Sequence, residues 1–183
     1  MAKAMGKSVD WVDIDFRSLI PSLVAQRFEV AVSAMDITDE RKKVVDSTDS
    51  HCAGGLVAMT KYGNSAIKTL ADLDGKKVTV QVGTQPVSYL QQNHPKVQLV
   101  EAEKIQEMFN LVEIGRADAA VTGKRAAAQY VRTRPSLRVL AQQLTTEEYG
   151  MALRKDTPDL TKAINGALAK VKADGTYAAL VKQ

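Results

Sequence analysis

Residues 28–46, FEVAVSAMDITDERKKVVD, contain the strand-to-helix change on which the fold assignment depends. Residues 28–35 form an apolar run rich in Val and Ala, which favours a buried strand. Thr38 follows as the predicted N-cap of a helix over residues 39–45, because its hydroxyl can accept a backbone N–H of the first turn. The stretch therefore predicts one strand-to-helix step of an α/β protein.

Strands and helices alternate on both sides of this step. We predict strands at residues 11–15, 28–35, 55–61, 77–82, 97–102, 117–122, 137–140 and 149–154. We predict helices at residues 18–26, 39–45, 86–93, 104–114, 124–133, 159–173 and 177–181, and residues 1–9 are also helix-like. This alternation predicts an α/β fold with largely parallel sheets, which bind ligands at the carboxyl ends of their strands.

The composition is that of an ordinary globular protein. Of 183 residues, 45% are hydrophobic and 25% charged, and the net charge of +4 is spread along the chain. Only 5% of residues are aromatic, too few for a platform that stacks nucleic-acid bases. Because nucleic-acid binders concentrate positive charge on one face, we expect no nucleic-acid partner.

The sequence shows none of the motifs that would indicate a membrane span, a cofactor or a metal. No run of 18 apolar residues is present, and the start lacks the pattern of a signal peptide. Cys52 is the single cysteine, and His51 and His94 are the only histidines, so neither a disulfide nor a zinc site is expected. No phosphate-binding or nucleophile-elbow motif occurs, and we expect neither cofactor nor catalytic residues.

Seven segments, in this order and spacing, resemble the polar amino-acid family of periplasmic solute-binding proteins, the receptors of ABC importers. They are residues 15–21 (DFRSLIP), 33–46 (SAMDITDERKKVVD), 70–78 (LADLDGKKV), 81–84 (QVGT), 115–121 (GRADAAV), 149–152 (YGMA) and 174–177 (DGTY). The resemblance implies a type II periplasmic-binding-protein-like fold, in which two α/β lobes joined by a two-segment hinge close on a ligand. It also implies a periplasmic location and membrane subunits of an ABC transporter as partners.

The resemblance assigns boundaries to the two lobes. Residues 1–58 and 148–183 would form lobe one, and residues 64–142 would form lobe two. The hinge crossings would lie at residues 59–63 and 143–147.

The resemblance also places ligand-binding residues in the first part of the chain. Arg41 would hold the α-carboxylate of the ligand, since its planar fork suits bidentate binding. Phe16 would cover the ligand side chain as an aromatic wall. Ala34 would offer a backbone carbonyl, and Asp36 occupies a position where the family has a hydroxyl.

Further ligand contacts are expected from the second lobe. Thr84 matches a second carboxylate donor, and Gln81 and Gln85 flank it. Taken without the resemblance, the loop at residues 82–85 is either an anion-binding helix start or a simple tight turn. Gly123 stands where the family has an Asp that grips the α-amino group.

This glycine leaves two hypotheses for the ligand. A buried ammonium without a carboxylate partner is costly. Either Asp36 supplies the counter-charge from lobe one, or the ligand is a carboxylate that has no amino group. The sequence alone does not separate these two possibilities.

The start of the chain departs from the family. The first strand and the start of the first helix, which the family has before residues 2–6, have no counterpart in the sequence, so a gap in the lobe-one sheet is expected. Strand exchange in a homodimer would repair such a gap. The alternatives to a binding protein are a dehydratase-like enzyme with Asp36 as its acid or base, a sensory module, and a truncated remnant that binds nothing.

Overall fold

The computed structural model describes residues 1–181, and their contacts divide the chain into two compact units. Unit 1 comprises Met1–Ile14, Ser18–Cys52 and the residues from Tyr149 on. Unit 2 comprises Asp15–Arg17 and Ala53–Glu148. Within the described residues, no helix combines the length and apolar character that a membrane crossing requires.

Nine strands and seven α-helices make up the described chain. The strands are β1 (Val30–Asp36), β2 (Asp46–Ser47), β3 (Cys52–Ala53), β4 (Leu56–Lys61), β5 (Lys77–Gln81), β6 (Gln98–Ala102), β7 (Ala119–Gly123), β8 (Leu137–Gln143) and β9 (Glu148–Leu153). The helices are α1 (Leu19–Val24), α2 (Asp39–Lys42), α3 (Gln85–Asn93), α4 (Ile105–Glu113), α5 (Lys124–Thr133), α6 (Pro158–Ala173) and α7 (Thr176–Val181). Short 3-10 helices occur at Ala2–Met5, Phe16–Ser18 and Ala71–Leu73.

The sheet of unit 1 is built around β9. Both β1 and β2 pair with β9 in the antiparallel sense, and β3 also pairs with it. Met151 and Leu153 of β9 are buried against Ile164 of α6, which forms a small apolar core. The register of β1 shifts between Ala31 and Met35, where Ala34 has a φ of 45°. A non-glycine residue in this left-handed region is uncommon, and here it lies within a strand.

The sheet of unit 2 has the order β6-β5-β7-β4-β8. Strand β5 runs parallel to both β6 and β7, and β4 runs antiparallel to both β7 and β8. Two apolar clusters contain its buried residues, one around Val78, Val80 and Leu90, the other around Met108 and Phe109. The α/β class is therefore confirmed, but the expectation of largely parallel sheets is wrong. The order of strands and helices along the chain does not determine whether a strand pairs parallel or antiparallel with its neighbours.

Two predictions for the start of the chain are also wrong. The helix-like pattern of residues 1–9 yields only the 3-10 helix Ala2–Met5. The alternation over residues 11–15 predicts a strand, but the structure assigns none there. Residues 8–14 make no backbone–backbone hydrogen bond within the described chain. Strand assignment depends on a hydrogen-bonded neighbour, and this segment has none.

The unit boundaries differ from the lobe boundaries that the resemblance implied. Apart from Asp15–Arg17, which belong to unit 2, the chain passes between units at residues 52–53 and 148–149, whereas the crossings were expected at 59–63 and 143–147. Strand β4, part of which was assigned to lobe one, lies entirely within the sheet of unit 2. Where the chain bends when a ligand binds remains a prediction.

Candidate functional site

Arg41 of unit 1 lies in the first turn of α2, and Thr38 caps the start of that helix. Thr38 Oγ1 accepts a hydrogen bond from the backbone N–H of Arg41, with a distance of 3.2 Å between N and O. This confirms Thr38 as the N-cap of α2, although α2 ends at Lys42 rather than at residue 45. The cap satisfies one of the donors that a helix start leaves unpaired, and it fixes the backbone from which the Arg41 side chain extends.

The guanidinium of Arg41 is largely buried beside Asp36. Its Nη1 donates to the backbone carbonyl of Asp36 at 3.0 Å and lies 4.0 Å from Asp36 Oδ2. The two side chains are only 12% and 9% exposed. Burial lowers the pKa of Arg41 from its ordinary value, while the nearby charges of Asp36 and Glu40 oppose that shift. An arginine stays charged despite such a shift, so a fixed and desolvated cation results.

This geometry bears on the role expected of Asp36. Its carboxylate faces the Arg41 guanidinium, so part of its charge is already balanced within unit 1. A ligand ammonium would have to compete with Arg41 for that charge. Ala34, two residues earlier in β1, has the left-handed backbone conformation that accompanies the register shift.

In unit 2, Thr84 and Gly83 form a tight turn between β5 and α3. Thr84 occupies the N-cap position, but its Oγ1 donates to the carbonyl of Gln81 at 2.6 Å. Gly83 has a φ of 74°, and a Cβ there would lie 2.8 Å from Cβ of Arg17. The loop therefore requires glycine on two counts, its conformation and its close contact with Arg17. The backbone N–H groups of the α3 start remain suited to an anion.

Gln81 and Gln85 are engaged differently. Gln81 Nε2 donates to the carbonyl of Glu103 at 3.1 Å, which ties β5 to the end of β6. Gln85 Nε2 donates to Glu147 Oε1 at 2.6 Å. Gln85 Oε1 and Glu147 Oε2 are buried and find no hydrogen-bond partner in the described chain. Two buried acceptors, one of them anionic, are thus left without a donor.

Glu147 is a candidate ligand residue that the sequence pattern does not single out. The only local signal was a pair of acids, Glu147 and Glu148, directly before the Tyr149–Gly150 pair of the resemblance. Glu147 meets Gln85 across 62 positions of the chain, and no periodic pattern indicates such a contact.

Gly123 and Phe16 also belong to unit 2. Gly123 ends β7 opposite Leu56 and is the N-cap of α5. The Lys124 side chain, which follows it, donates from Nζ to Gln143 Oε1 at 3.1 Å. Phe16 begins the 3-10 helix Phe16–Ser18 and is half-buried. It belongs to unit 2 within Asp15–Arg17, whereas the segments on either side, Met1–Ile14 and Ser18–Cys52, belong to unit 1.

The structure therefore groups the expected ligand residues into two sets. Unit 1 contains Ala34, Asp36 and Arg41, and unit 2 contains Phe16, Gln81, Thr84, Gln85 and Gly123. Among residues 1–181, no three metal-ligating side chains converge on one point. The segment around His51 is held within unit 1, where the Tyr177 hydroxyl donates to the His51 carbonyl and Lys172 Nζ donates to the Ser50 carbonyl at 2.7 Å.

Comparison with known proteins assigns the chain to a protein family. The sequence profile of the family described as bacterial extracellular solute-binding proteins, family 3, matches residues 1–183. The chain belongs to this family. It is 34% identical over 182 residues to the ABC transporter arginine-binding protein 1 of Escherichia coli (strain K12), a match that covers 97% of this chain and 74% of that protein.

Solved structures of family relatives share the fold. An ancestral arginine-binding protein bound to glutamine matches with a TM-score of 0.93 and 36% identity, over 99% of this chain and 81% of that one. The ancestral amino-acid-binding protein AncCDT-1, a precursor of cyclohexadienyl dehydratase, matches with a TM-score of 0.91 and 36% identity, over the same shares. The type II periplasmic-binding-protein fold is thereby confirmed, and the relatives are binding proteins for polar amino acids.

Proposed function

We propose that this chain captures a free amino acid, or a closely related carboxylate, in the periplasm for uptake by an ABC transporter. The observation that carries the proposal is Arg41, whose backbone N–H is capped by Thr38 and whose side chain, 12% exposed, donates to the Asp36 carbonyl. A cation held away from water in one geometry stabilises an incoming carboxylate through charge-assisted, bidentate hydrogen bonds. The same ligand class is supported by the relatives, one named an arginine-binding protein and another solved with glutamine bound.

The ammonium of such a ligand needs a counter-charge, and we assign it to Glu147. Glu147 Oε2 and Gln85 Oε1 are buried acceptors that find no donor among residues 1–181, and an ammonium carries three donors and a positive charge. Asp36, the earlier candidate, already faces Arg41 at 4.0 Å. On this proposal, the Glu147 carboxylate, four positions beyond the end of β8 and hydrogen-bonded to Gln85, takes over the role that Gly123 cannot fill.

Replacement of Arg41 by Ala tests the proposal. Binding of L-arginine and L-glutamine is measured by titration calorimetry for the unaltered chain, for Arg41→Ala and for Lys42→Ala. Losing one partner of a desolvated charge pair costs about 2–5 kcal/mol, so Arg41→Ala should weaken the tighter ligand roughly 30- to 5,000-fold. Lys42 is the matched control, because it is the next residue of α2 and its side chain is 55% exposed.

Equal affinity in the unaltered chain and in Arg41→Ala would contradict the role of Arg41. If neither amino acid binds the unaltered chain, the same titration with a panel of the other polar amino acids and their deaminated analogues follows. Failure of every member of that panel to bind would overturn the proposed function as a whole.

An enzymatic role is the second candidate, because the solved relative AncCDT-1 is a precursor of a dehydratase. Dehydration needs a positioned acid or base, and Asp36 is the residue that the sequence offers. Asp36 Oδ2 lies 4.0 Å from Arg41 Nη1, so this carboxylate already faces a fixed cation of the chain rather than standing free for a substrate. Mass spectrometry of the bound ligand after prolonged incubation decides between the roles. We expect the ligand to be recovered unchanged, and turnover that is lost in Asp36→Asn would favour the enzyme.

A further inference from the structure

Four connecting segments of unit 2 meet at one end of its sheet. The strand pairing shows this, because one row across the sheet pairs Lys77 with Gln98, Val78 with Ala119, Thr60 with Ala119, and Lys61 with Leu137. The chain enters or leaves each of the five strands at this row through residues 61–77, 93–98, 113–119 and 132–138. We call these four segments the basic end of unit 2.

The basic end carries more positive charge than the whole chain. Its segments contain nine Lys or Arg residues and four Asp or Glu residues, which gives a net charge of +5, whereas the complete chain has +4. The charge that is spread along the sequence is therefore concentrated at one end of one unit, where it raises the local positive potential. The nine cations are Lys61, Lys68, Lys76, Lys77, Lys96, Arg116, Arg132, Arg134 and Arg138.

Two acids of the basic end are bound to backbone groups. Asp72 Oδ2 accepts the backbone N–H groups of Lys68 and Thr69 at 2.9 and 2.8 Å. Asp118 Oδ2 accepts the backbone N–H of Lys77 at 2.9 Å. Neither carboxylate forms a salt bridge with a side chain of residues 1–181, so the cations beside them keep their charge toward solvent.

The other two acids pair with only two of the nine cations. Asp74 lies 3.9 Å from Lys96 Nζ, and Glu113 pairs with Arg134. Five further cations are exposed and form no salt bridge within residues 1–181, and these are Lys61, Lys68, Lys77, Arg116 and Arg132.

Two large side chains with apolar surface are exposed among these cations. Tyr62 is 73% exposed and Ile114 is 63% exposed. The backbone N–H of Tyr62 donates to the Ser136 carbonyl at 2.7 Å, and the Ser136 hydroxyl donates to Glu113, the residue before Ile114. Single exposed apolar residues are ordinary, but here they accompany a concentration of positive charge, and tyrosine is enriched where a membrane meets water.

The loop that presents Tyr62 is fixed by an arginine. Arg138 Nη2 donates to the backbone carbonyls of Asn64 and Ile67 at 2.9 and 2.8 Å. Ile67 is also buried in the core of unit 2. A surface that is held in place before it binds loses less conformational entropy on binding.

We propose that the basic end adsorbs to the surface of a bilayer that contains anionic phospholipids. Each Lys or Arg close to such a surface strengthens binding about fivefold, and the exposed cations come from all four segments, which a bilayer surface can contact together. Ile114 and the ring of Tyr62 would enter the headgroup region. A nucleic acid would match the charge but would leave Ile114 in water, which is the reason for choosing a bilayer.

Adsorption at the basic end would leave the expected ligand residues of unit 2 accessible. Gln81 is the last residue of β5, four residues or about 13 Å along the strand from Lys77. Gly123 is likewise the last residue of β7, which begins at the basic end. The proposal goes beyond capture of an amino acid and does not depend on the ligand of Arg41.

Co-sedimentation with phospholipid vesicles tests the proposal. The 183-residue chain is mixed with vesicles of equal parts phosphatidylglycerol and phosphatidylcholine, or of phosphatidylcholine alone. The NaCl concentration is about 0.05 M or about 0.5 M, because the higher value screens charges over a few ångströms. We expect binding to the anionic vesicles at the lower salt, at least roughly tenfold weaker binding at the higher salt, and little binding to the neutral vesicles.

A pair of charge-matched double variants locates the contact. Arg116→Gln with Arg132→Gln should weaken binding to the anionic vesicles about 25-fold, or about fivefold for each cation. Lys162→Gln with Lys170→Gln is the control, since it lowers the net charge equally but changes two exposed cations on α6 of unit 1. We expect the control to bind nearly as the unaltered chain does. All four positions are exposed, and thermal unfolding of both variants checks that they fold.

A single variant tests the apolar contribution. Ile114→Ser should weaken vesicle binding by a similar factor at both salt concentrations, about tenfold, because apolar contact is not screened by salt. Val44→Ser is the matched control, since Val44 is 54% exposed but lies in unit 1.

Three results would overturn the proposal. The first is binding to the anionic vesicles that is absent, or no stronger than binding to the neutral ones. The second is an equal loss in the two double variants, which would show a response to net charge rather than to the basic end. The third is unchanged vesicle binding in Ile114→Ser together with binding of a short single-stranded oligonucleotide, or of polyglutamate, that depends on Arg116 and Arg132. That result would assign the basic end to a nucleic acid or to an acidic protein.

Discussion

The backbone N–H of Arg41 is bound by Thr38 Oγ1, so the residue proposed to hold the ligand carboxylate is positioned by a residue in the same turn. We expect Thr38→Ala to lower the free energy of unfolding by about 0.5–2 kcal/mol, the usual cost of losing an N-cap. It should also weaken amino-acid binding, because the Arg41 backbone is no longer fixed. Urea unfolding and calorimetry measure the two effects separately.

Thr38→Ser is the matched control for this prediction. Serine keeps the hydroxyl oxygen that accepts from Arg41 and is an equally good N-cap. If Thr38→Ser and Thr38→Ala weaken ligand binding equally, the cap does not position Arg41.

Glu147 and Asp36 make opposite predictions about the ammonium of the ligand. Glu147→Gln removes a negative charge and keeps the contact with Gln85 possible. We expect it to weaken L-arginine about 10- to 150-fold, the range for a hydrogen bond to a charged group, and to leave the deaminated analogue of arginine unaffected. Asp36→Asn should alter both ligands alike, because Asp36 acts through Arg41. Selective loss of the amino acid in Asp36→Asn, with none in Glu147→Gln, would restore Asp36 as the counter-charge.

Gly83 should tolerate alanine less well than Gly75 does. The two glycines have almost the same φ, 74° and 75°, but a Cβ at Gly83 meets Arg17 while a Cβ at Gly75 meets no atom within 4 Å. The left-handed conformation costs alanine about 1–2 kcal/mol at both positions. The steric contact should make Gly83→Ala the more destabilising change, by a further 1 kcal/mol or so. Equal midpoints of urea unfolding for the two variants would show that the loop moves away from Arg17 freely.

Stability at acid pH should depend on Glu113 at the end of α4. The Ser136 hydroxyl and then Arg134 donate to this carboxylate, and both lower its pKa from the usual value, which partial burial opposes. A lowered folded-state pKa means that the stabilisation is fully present above the unfolded value of 4.5 and is lost as pH falls through the folded value.

We therefore expect Glu113→Gln to flatten the pH dependence of the unfolding free energy below about pH 4.5. Urea unfolding across that interval measures the slope. Glu107→Gln on the same helix is the control, and an unchanged slope in Glu113→Gln would contradict the prediction.

Local physics explains the features that the sequence predicts well. Helix α5 spans the predicted residues 124–133, and Thr38 caps α2 as expected. Both depend on hydrogen bonds and side-chain spacing within one or two turns of the chain, which neighbouring residues determine. The order of motifs from residue 15 to residue 177 was likewise sufficient to identify the family.

The features that the sequence did not predict depend on contacts between distant parts of the chain. The antiparallel direction of β4, the grouping of Phe16 with unit 2 and the meeting of Gln85 with Glu147 each join segments far apart in sequence. Residues 11–15 show most clearly what a sequence pattern cannot predict. Apolar–polar alternation indicates which side chains would share one face of a strand, but it does not indicate which backbone segment would pair with that strand. A strand exists only where a second backbone supplies its hydrogen bonds, and that partner is determined by the tertiary structure.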